Sequence, residues 1–263
     1  MSSPQVSSWG STISGMNCTA WNSERANALT KSPRAMPRIA LDTATPAVTA
    51  AVHDATSVLC TSSTVDARRH GERVAPMVQQ VLAQAGVGAR DLTDIAVGVG
   101  PGPFTGLRVG LMTVRTLALV TGARLVGVCT LDVLARAVAT QGANAHAPFL
   151  VACDARRKEV YWAGYDGEGR RVDGPAVDRP VALAARLHAA PGPSAGVFGR
   201  GGQLYADVLP AAGGPLDPDA AVLAGAVLTG AVPLLAAEPL YLRRPDVTMP
   251  GQQQAQPPDG RLP

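Results

Sequence analysis

From Arg38 onward, short apolar runs alternate with turn residues. Ile39-Ala-Leu-Asp-Thr-Ala stops at Thr45-Pro46 and Ala47 to His53 returns, which predicts two strands and the turn between them. A third strand is predicted over Ser57 to Thr64. Val74, Met77, Val78, Val81 and Leu82 then recur at helical spacing as far as Gly86, the stripe of an amphipathic helix, with Pro76 compatible only in its first turn. A buried-type strand over Ile95 to Val99, a Gly-Pro loop and a helix from Phe104 to Thr121 follow, giving the order β-β-β-α-β-α.

After a strand at Arg124 to Val128 and a helix at Thr130 to Ala139, the order starts again with Phe149-Leu-Val-Ala-Cys-Asp, a turn, and Val160-Tyr-Trp-Ala-Gly-Tyr-Asp. The two openings superpose: Val48 and Asp54 follow Asp42 by six and twelve residues, as Val160 and Asp166 follow Asp154. This predicts an internal duplication, with an N-terminal lobe over 36–140 and a C-terminal lobe over 141–244. The second copy reads as looser, with a helix near Pro180 to Ala190, a strand at Ala195 to Phe198, the glycines Gly199, Gly201 and Gly202, and a helix near Asp217 to Leu228. Residues 245–263 read as a flexible tail.

Residues 1–35 are rich in Ser, Thr, Asn and Ala without helix or strand period and are expected to be disordered. We read Met36 as the true start and the leading segment as an upstream extension or a tag. A transit peptide is the alternative, for which the three basic residues Arg25, Lys31 and Arg34 are few.

Of the 263 residues, 46% are hydrophobic and only 4% aromatic, so the core must be built from small side chains. A net charge of +3 does not by itself mark a nucleic-acid binder. Cys18, Cys60, Cys129 and Cys153 show no CxxC pairing and read as reduced core thiols, and no run approaches the roughly 20 apolar residues of a membrane helix; a cytoplasmic protein is expected.

The richest stretch is Val97 to Gly110, a strand running into glycines that open a helix. Such a loop aims backbone N–H groups at one spot and suits an anion. It is nevertheless neither a P-loop nor a dinucleotide fingerprint, and a tight turn where backbone packs on backbone accounts for it equally well. Asp42, Thr43, Gly102 and Thr105 are the candidate nucleotide or anion contacts, with a self-capping hairpin as the plain alternative for Asp42. The turn Asp154-Ala-Arg-Arg-Lys has no glycine to admit a phosphate; Arg156, Arg157 and Lys158 could meet RNA or an acidic partner, or simply be solvated. His53, His70, His146 and His188 form no metal-ligand spacing. The helix after the glycine loop carries only Arg108 and Arg115 as charges, so more than one of its faces calls for a cover, either the rest of the monomer or a partner.

The segments Ile39-Ala-Leu-Asp-Thr-Ala-Thr, His70 to Ala83, Gly98 to Thr116, Asp154-Ala-Arg-Arg-Lys-Glu-Val-Tyr-Trp and Glu238-Pro-Leu-Tyr-Leu-Arg-Arg-Pro resemble the TsaB (YeaZ) family over about residues 37–246, most specifically in Gly100-Pro-Gly-Pro-Phe-Thr-Gly-Leu-Arg-Val-Gly. The resemblance implies an actin-like, sugar-kinase-like (ASKHA) α/β fold of two related lobes, each a mixed sheet flanked by helices. It also implies a non-catalytic scaffold subunit that binds the catalytic paralogue TsaD, acts with the ATPase TsaE, and reaches tRNA indirectly through that complex, with a homodimer when alone. No cofactor of its own is implied, only ATP or ADP at the complex interface. Family dimers form through N-lobe helices, here Arg73 to Ala85 and Phe104 to Thr121, so Arg73, Val74, Met77, Val78, Val81, Leu107, Arg108, Leu111 and Arg115 are the expected interface. The HxxxH metal pair of the paralogue has no histidine in the matching stretch, Val128-Cys-Thr-Leu-Asp-Val-Leu. A nucleotide-binding regulator, or an acyltransferase or metallopeptidase-like enzyme acting by itself, are the competing functions.

Overall fold

The computed structural model describes residues 36–66, 69–143, 146–189 and 194–243; the leading segment and the tail from 244 lie outside the described residues. Five strands, β1 (Arg38–Asp42), β2 (Ala47–His53), β3 (Val58–Val65), β4 (Asp94–Gly98) and β5 (Arg124–Val128), form a sheet in the order β3-β2-β1-β4-β5, antiparallel through β1, β2 and β3 and parallel from β1 to β5. Four more, β6 (Phe149–Asp154), β7 (Val160–Tyr165), β8 (Arg171–Asp178) and β9 (Val197–Phe198), form a second in the order β8-β7-β6-β9. The helices are α1 (His70–Ala85), α2 (Phe104–Thr121), α3 (Thr130–Thr140), α4 (Pro180–Ala189), α5 (Arg200–Leu204) and α6 (Ala220–Thr229).

Alternation along the central strands sorts their side chains between two layers. Ile39, Leu41, Val48 and Ala50 meet Val74, Val78 and Val81 of α1 and Leu107, Leu111 and Val114 of α2. Ala40, Ala51 and Ala96 point the other way, onto Ala220, Leu223 and Ala224 of α6. Alanine on both sides lets that helix lie close, which is where the small-residue composition is spent. In the second sheet, Phe149, Val151 and Tyr165 pack on Leu131, Leu134 and Val138 of α3, while Ala152, Val160 and Trp162 pack on Leu183 and Ala184 of α4.

Two mixed sheets flanked by helices agree with the expected pair of related lobes, and the repeat is more complete than expected: β1, β2, β3, α1 and β4 answer to β6, β7, β8, α4 and β9. The helices do not respect the expected border at 140/141. The α6 helix, assigned from sequence to the second lobe, covers the first sheet, and α3 from the first half covers the second sheet. An alanine-rich helix carries no mark of which sheet it will meet.

Three further expectations change. Strand β8 was not expected; its sequence, Arg-Val-Asp-Gly-Pro-Ala-Val-Asp, is polar and half exposed, as an edge strand is. The α5 helix, at five residues, is too short to show a period. Pro76 is the seventh residue of α1, beyond its first turn; it sits on the exposed side with Glu72, where water can take the carbonyl that proline leaves unbonded. The helix ends where expected, Gly86 taking φ 66° and donating to the carbonyls of the last turn.

Candidate functional site

At the C-terminal edge of the first sheet, the β1–β2 turn meets the loop between β4 and α2. Asp42 is fully buried: Oδ1 accepts the Ala44 N–H at 2.8 Å and Oδ2 accepts the Thr130 hydroxyl at 2.8 Å. Thr130 in turn accepts the Gly100 N–H at 3.2 Å, and the Thr43 hydroxyl donates to the Gly106 carbonyl at 2.9 Å. A Cβ on Gly102 would fall 2.0 Å from the Ala44 carbonyl oxygen, and one on Gly98 would fall 1.8 Å from Asp42 Oδ2. The glycines therefore let one loop close on another, and the tight-turn reading of this stretch describes it. Of the expected nucleotide or anion contacts, Asp42 and Thr43 are buried with their side chains bonded within the chain and so act as internal struts, and Gly102 is buried against the Ala44 carbonyl. Thr105, the fourth, is exposed in the first turn of α2. Burial pushes the Asp42 carboxyl up to about 6, against the bonds from Ala44 and Thr130, with the nearby Asp217 charge adding to the rise.

Beside this junction lies a cleft of about 200 Å³ lined by Thr45, Pro46, His70, Thr105, Gly106 and, from the second sheet, Arg156. His70 Nε2 bonds the Thr45 carbonyl at 2.9 Å and so fastens the start of α1 to the turn. Across the cleft, Asp154 Oδ1 accepts the Arg156 N–H at 2.8 Å, repeating the bond made in the first turn. Arg156, Arg157 and Lys158 take left-handed φ values of 60°, 54° and 59° and are exposed. Cys60, Cys129 and Cys153 are buried, Cys18 lies outside the described residues, and burial pushes Cys129 up to about 12, far from a reactive thiolate.

The expected partner face divides. Val74, Met77, Val78, Val81, Leu107 and Leu111 are buried in the chain's own core, so the apolar stripe read as spare surface is the stripe that folds the protein. Arg73, Arg108 and Arg115 are exposed. The helix expected to need cover on more than one face does leave apolar residues outward beside its two arginines, none of them among the expected interface positions: Met112 is 59%, Leu119 86% and Val120 68% exposed. The signal was present, since positions 108, 112, 115 and 119 share one helical face and two of them are arginine. By length and composition α2 could cross a membrane, yet its inner face of Gly106, Leu107, Gly110, Leu111 and Val114 is buried within the molecule.

A duplicated β-β-β-α-β unit, with an aspartate ending each first strand and glycines after each fourth, defines an α/β protein of the actin-like, sugar-kinase-like (ASKHA) class. The tRNA N6-adenosine threonylcarbamoyltransferase (TsaD) family model matches residues 62–200. YeaZ from Pseudomonas aeruginosa superposes with a TM-score of 0.65 at 31% identity, covering 78% of this chain and 99% of that one. An uncharacterised Mycobacterium tuberculosis protein is 42% identical over 213 residues, 79% of this chain and 92% of the relative. The Escherichia coli tRNA threonylcarbamoyladenosine biosynthesis protein TsaB is 40% identical over 136 residues, 48% of this chain and 54% of the relative. The chain belongs to the TsaB/YeaZ family, whose named members are tRNA threonylcarbamoyladenosine biosynthesis proteins.

Proposed function

We propose that the chain is a non-catalytic subunit of the machinery that adds threonylcarbamoyl to tRNA adenosine, binding and activating a TsaD-type paralogue, together with the TsaE ATPase, through the outward ridge of α2 and the neighbouring surface of α1. The observation that carries this reading is the row Arg108, Met112, Arg115 and Leu119, with Val120 beside it. It is an exposed row in which apolar residues alternate with arginines, on a helix whose opposite face is locked in the core. An apolar strip rimmed by charge is the usual form of a protein contact. The absence of histidine from Val128 to Leu134, and the enclosure of Asp42, weigh against catalysis or nucleotide turnover by this chain alone.

Residues 36–263 co-expressed with the matching TsaD should purify as a stable pair, and only the mixture with TsaE should modify tRNA. Leu119→Asp or Met112→Asp should leave the isolated chain folded, within about 0.5 kcal/mol of wild type, and weaken the pair at least tenfold by calorimetry. Unchanged affinity with both variants folded would remove the ridge from the interface. Modification of tRNA by this chain alone would overturn the non-catalytic reading.

A further inference from the structure

The chain after α6 forms a strap between the two lobes, and it includes Glu238 to Arg243, from the last of the segments that carry the family resemblance. On the first lobe, Leu235 pairs with Gly127 of β5 and the Leu240 N–H donates to the Val99 carbonyl at 2.8 Å. On the second, Arg243 Nη1 donates to the Ala155 carbonyl at 3.0 Å and its guanidinium pairs with Glu159. The strap is therefore fixed at both ends.

Between these anchors it holds both arginines of the outward row on α2. The Ala237 carbonyl accepts Arg115 Nε at 3.1 Å and Nη2 at 2.6 Å. The Tyr241 hydroxyl accepts Arg108 Nε at 3.1 Å. The Arg108 guanidinium also lies 3.5 Å over the ring of Phe104, which stacks on Tyr241 with ring centroids 5.0 Å apart. Neither arginine is used up by these contacts. Among the described residues no carboxylate pairs with either, and Nη1 and Nη2 of Arg108 and Nη1 of Arg115 make no hydrogen bond.

We propose that the strap is a positioning device that holds Arg108 and Arg115 ready for two carboxylates on the contact face of the partner, one on either side of Met112. The proposal rests on the reading of the α2 ridge as the partner contact, and it adds the chemistry of the face that meets it. The two arginines are seven residues apart, two helical turns or about 10 Å along the axis. A partner helix with acidic side chains at the same spacing and an apolar one between them fits that row. The free end of the Arg108 fork matches both oxygens of a carboxylate, and charge-assisted bonds of this kind are the strong ones. The exposed Met112 and Leu119 in the same row suit a protein surface and offer nothing to a polyphosphate chain. An arginine already held in one rotamer spares the complex about 0.5 to 1.5 kcal/mol of ordering.

The test titrates the matching TsaD into the full chain at stepped salt, by calorimetry and stopped flow. Arg108→Gln with Arg115→Gln should weaken the pair about tenfold or more, chiefly through slower association, and flatten its salt dependence. Tyr241→Phe keeps the stacked ring and removes the acceptor of Arg108 Nε; it should weaken the pair about three- to fivefold and have no further effect once Arg108 is changed to Gln. A merely structural role of Tyr241 would give the same loss in both backgrounds. In the isolated chain, arginine side-chain NMR should show Arg108 Nε–H more mobile in Tyr241→Phe than in wild type, and melting curves establish that each variant is folded. The proposal is overturned if the folded arginine variant binds as wild type or keeps the wild-type salt dependence, or if Tyr241→Phe costs the same with and without Arg108. Leu119→Asp separates the two readings. A loss there with the arginine variants unaffected removes the positioned pair and leaves the ridge, whereas no loss from either removes the ridge and the pair together.

Discussion

The two lobes use the same aspartate bond to opposite ends. Asp42 and Asp154 each close the turn after a first strand by accepting the N–H two residues on. Asp42 spends its other oxygen on Thr130 and is fully buried, whereas Asp154 spends its other oxygen on exposed Arg156. Register explains the divergence. Asp42 pairs with Thr49, but Asp154 pairs with Val160, the counterpart of Val48, so the second turn is one residue shorter. Side chains alternate along a strand, and one residue of slip sends the aspartate to the other face. The loops after the fourth strands differ likewise. The first leads into the 18 residues of α2 and closes on the β1–β2 turn, while the second leads into the five of α5 and is held by Arg200, paired to Asp217 at 2.7 and 2.6 Å. Duplication thus produced one lobe that is sealed and one that is displayed.

The contrast between α2 and α5 should give the largest effect. Leu111→Asp places a carboxylate in the core of the first lobe and should cost about 5 kcal/mol or more, leaving no cooperative melt, while Leu204→Asp on α5, at 57% exposure, should stay within about 0.5 kcal/mol. Equal losses in urea titrations would show that the second lobe is as tightly closed as the first. Next come the glycines. Gly102→Ala drives a methyl into the Ala44 carbonyl and should cost about 3 kcal/mol; Gly201→Ala, where the nearest atom lies at 2.8 Å on Ala152, should cost about 1 to 2 kcal/mol. A reversed order would contradict the sealed first lobe.

The smallest effect is also the most diagnostic. The Asp42 carboxyl is raised in the folded state from 3.8 to about 6, so the folded chain holds that proton more tightly than the unfolded chain. Its contribution to stability is then complete below pH 4 and declines as pH rises to 6, by about 3 kcal/mol for a shift of about two units. Asp42→Asn removes the titration. Relative to wild type it should gain about 1 to 3 kcal/mol at pH 7.5 and nothing at pH 4. Urea midpoints at the two pH values check this, and a gain from Asp42→Asn that is equal at both would mean the carboxyl does not titrate in that window.

Much of the fold was written in local pattern. The bounds of α2 and the paired openings at Asp42 and Asp154 came from spacing alone, because apolar period and turn residues act within a dozen positions. The fate of Asp42 could not be read that way, since its burial depends on Thr130, 88 positions along. The interface stripe was misplaced for a related reason: Val74, Val78 and Leu111 announce that a helix has an apolar face, but only the sheet beneath decides that this face is inward. The arginines at 108 and 115 were the better guide, because a charged side chain rarely chooses the core.

The exchange of α3 and α6 between the sheets carries a last consequence. A fragment ending near residue 140 would leave Ala40, Ala51 and Ala96 bare to water, and the remaining fragment would lack the Leu131, Leu134 and Val138 that close Phe149 and Tyr165. Neither half of the repeat encloses its own interior. With α3 and α6 each covering the other half's sheet, one repeat by itself leaves an open core, and the chain is expected to gain or lose its structure as a whole.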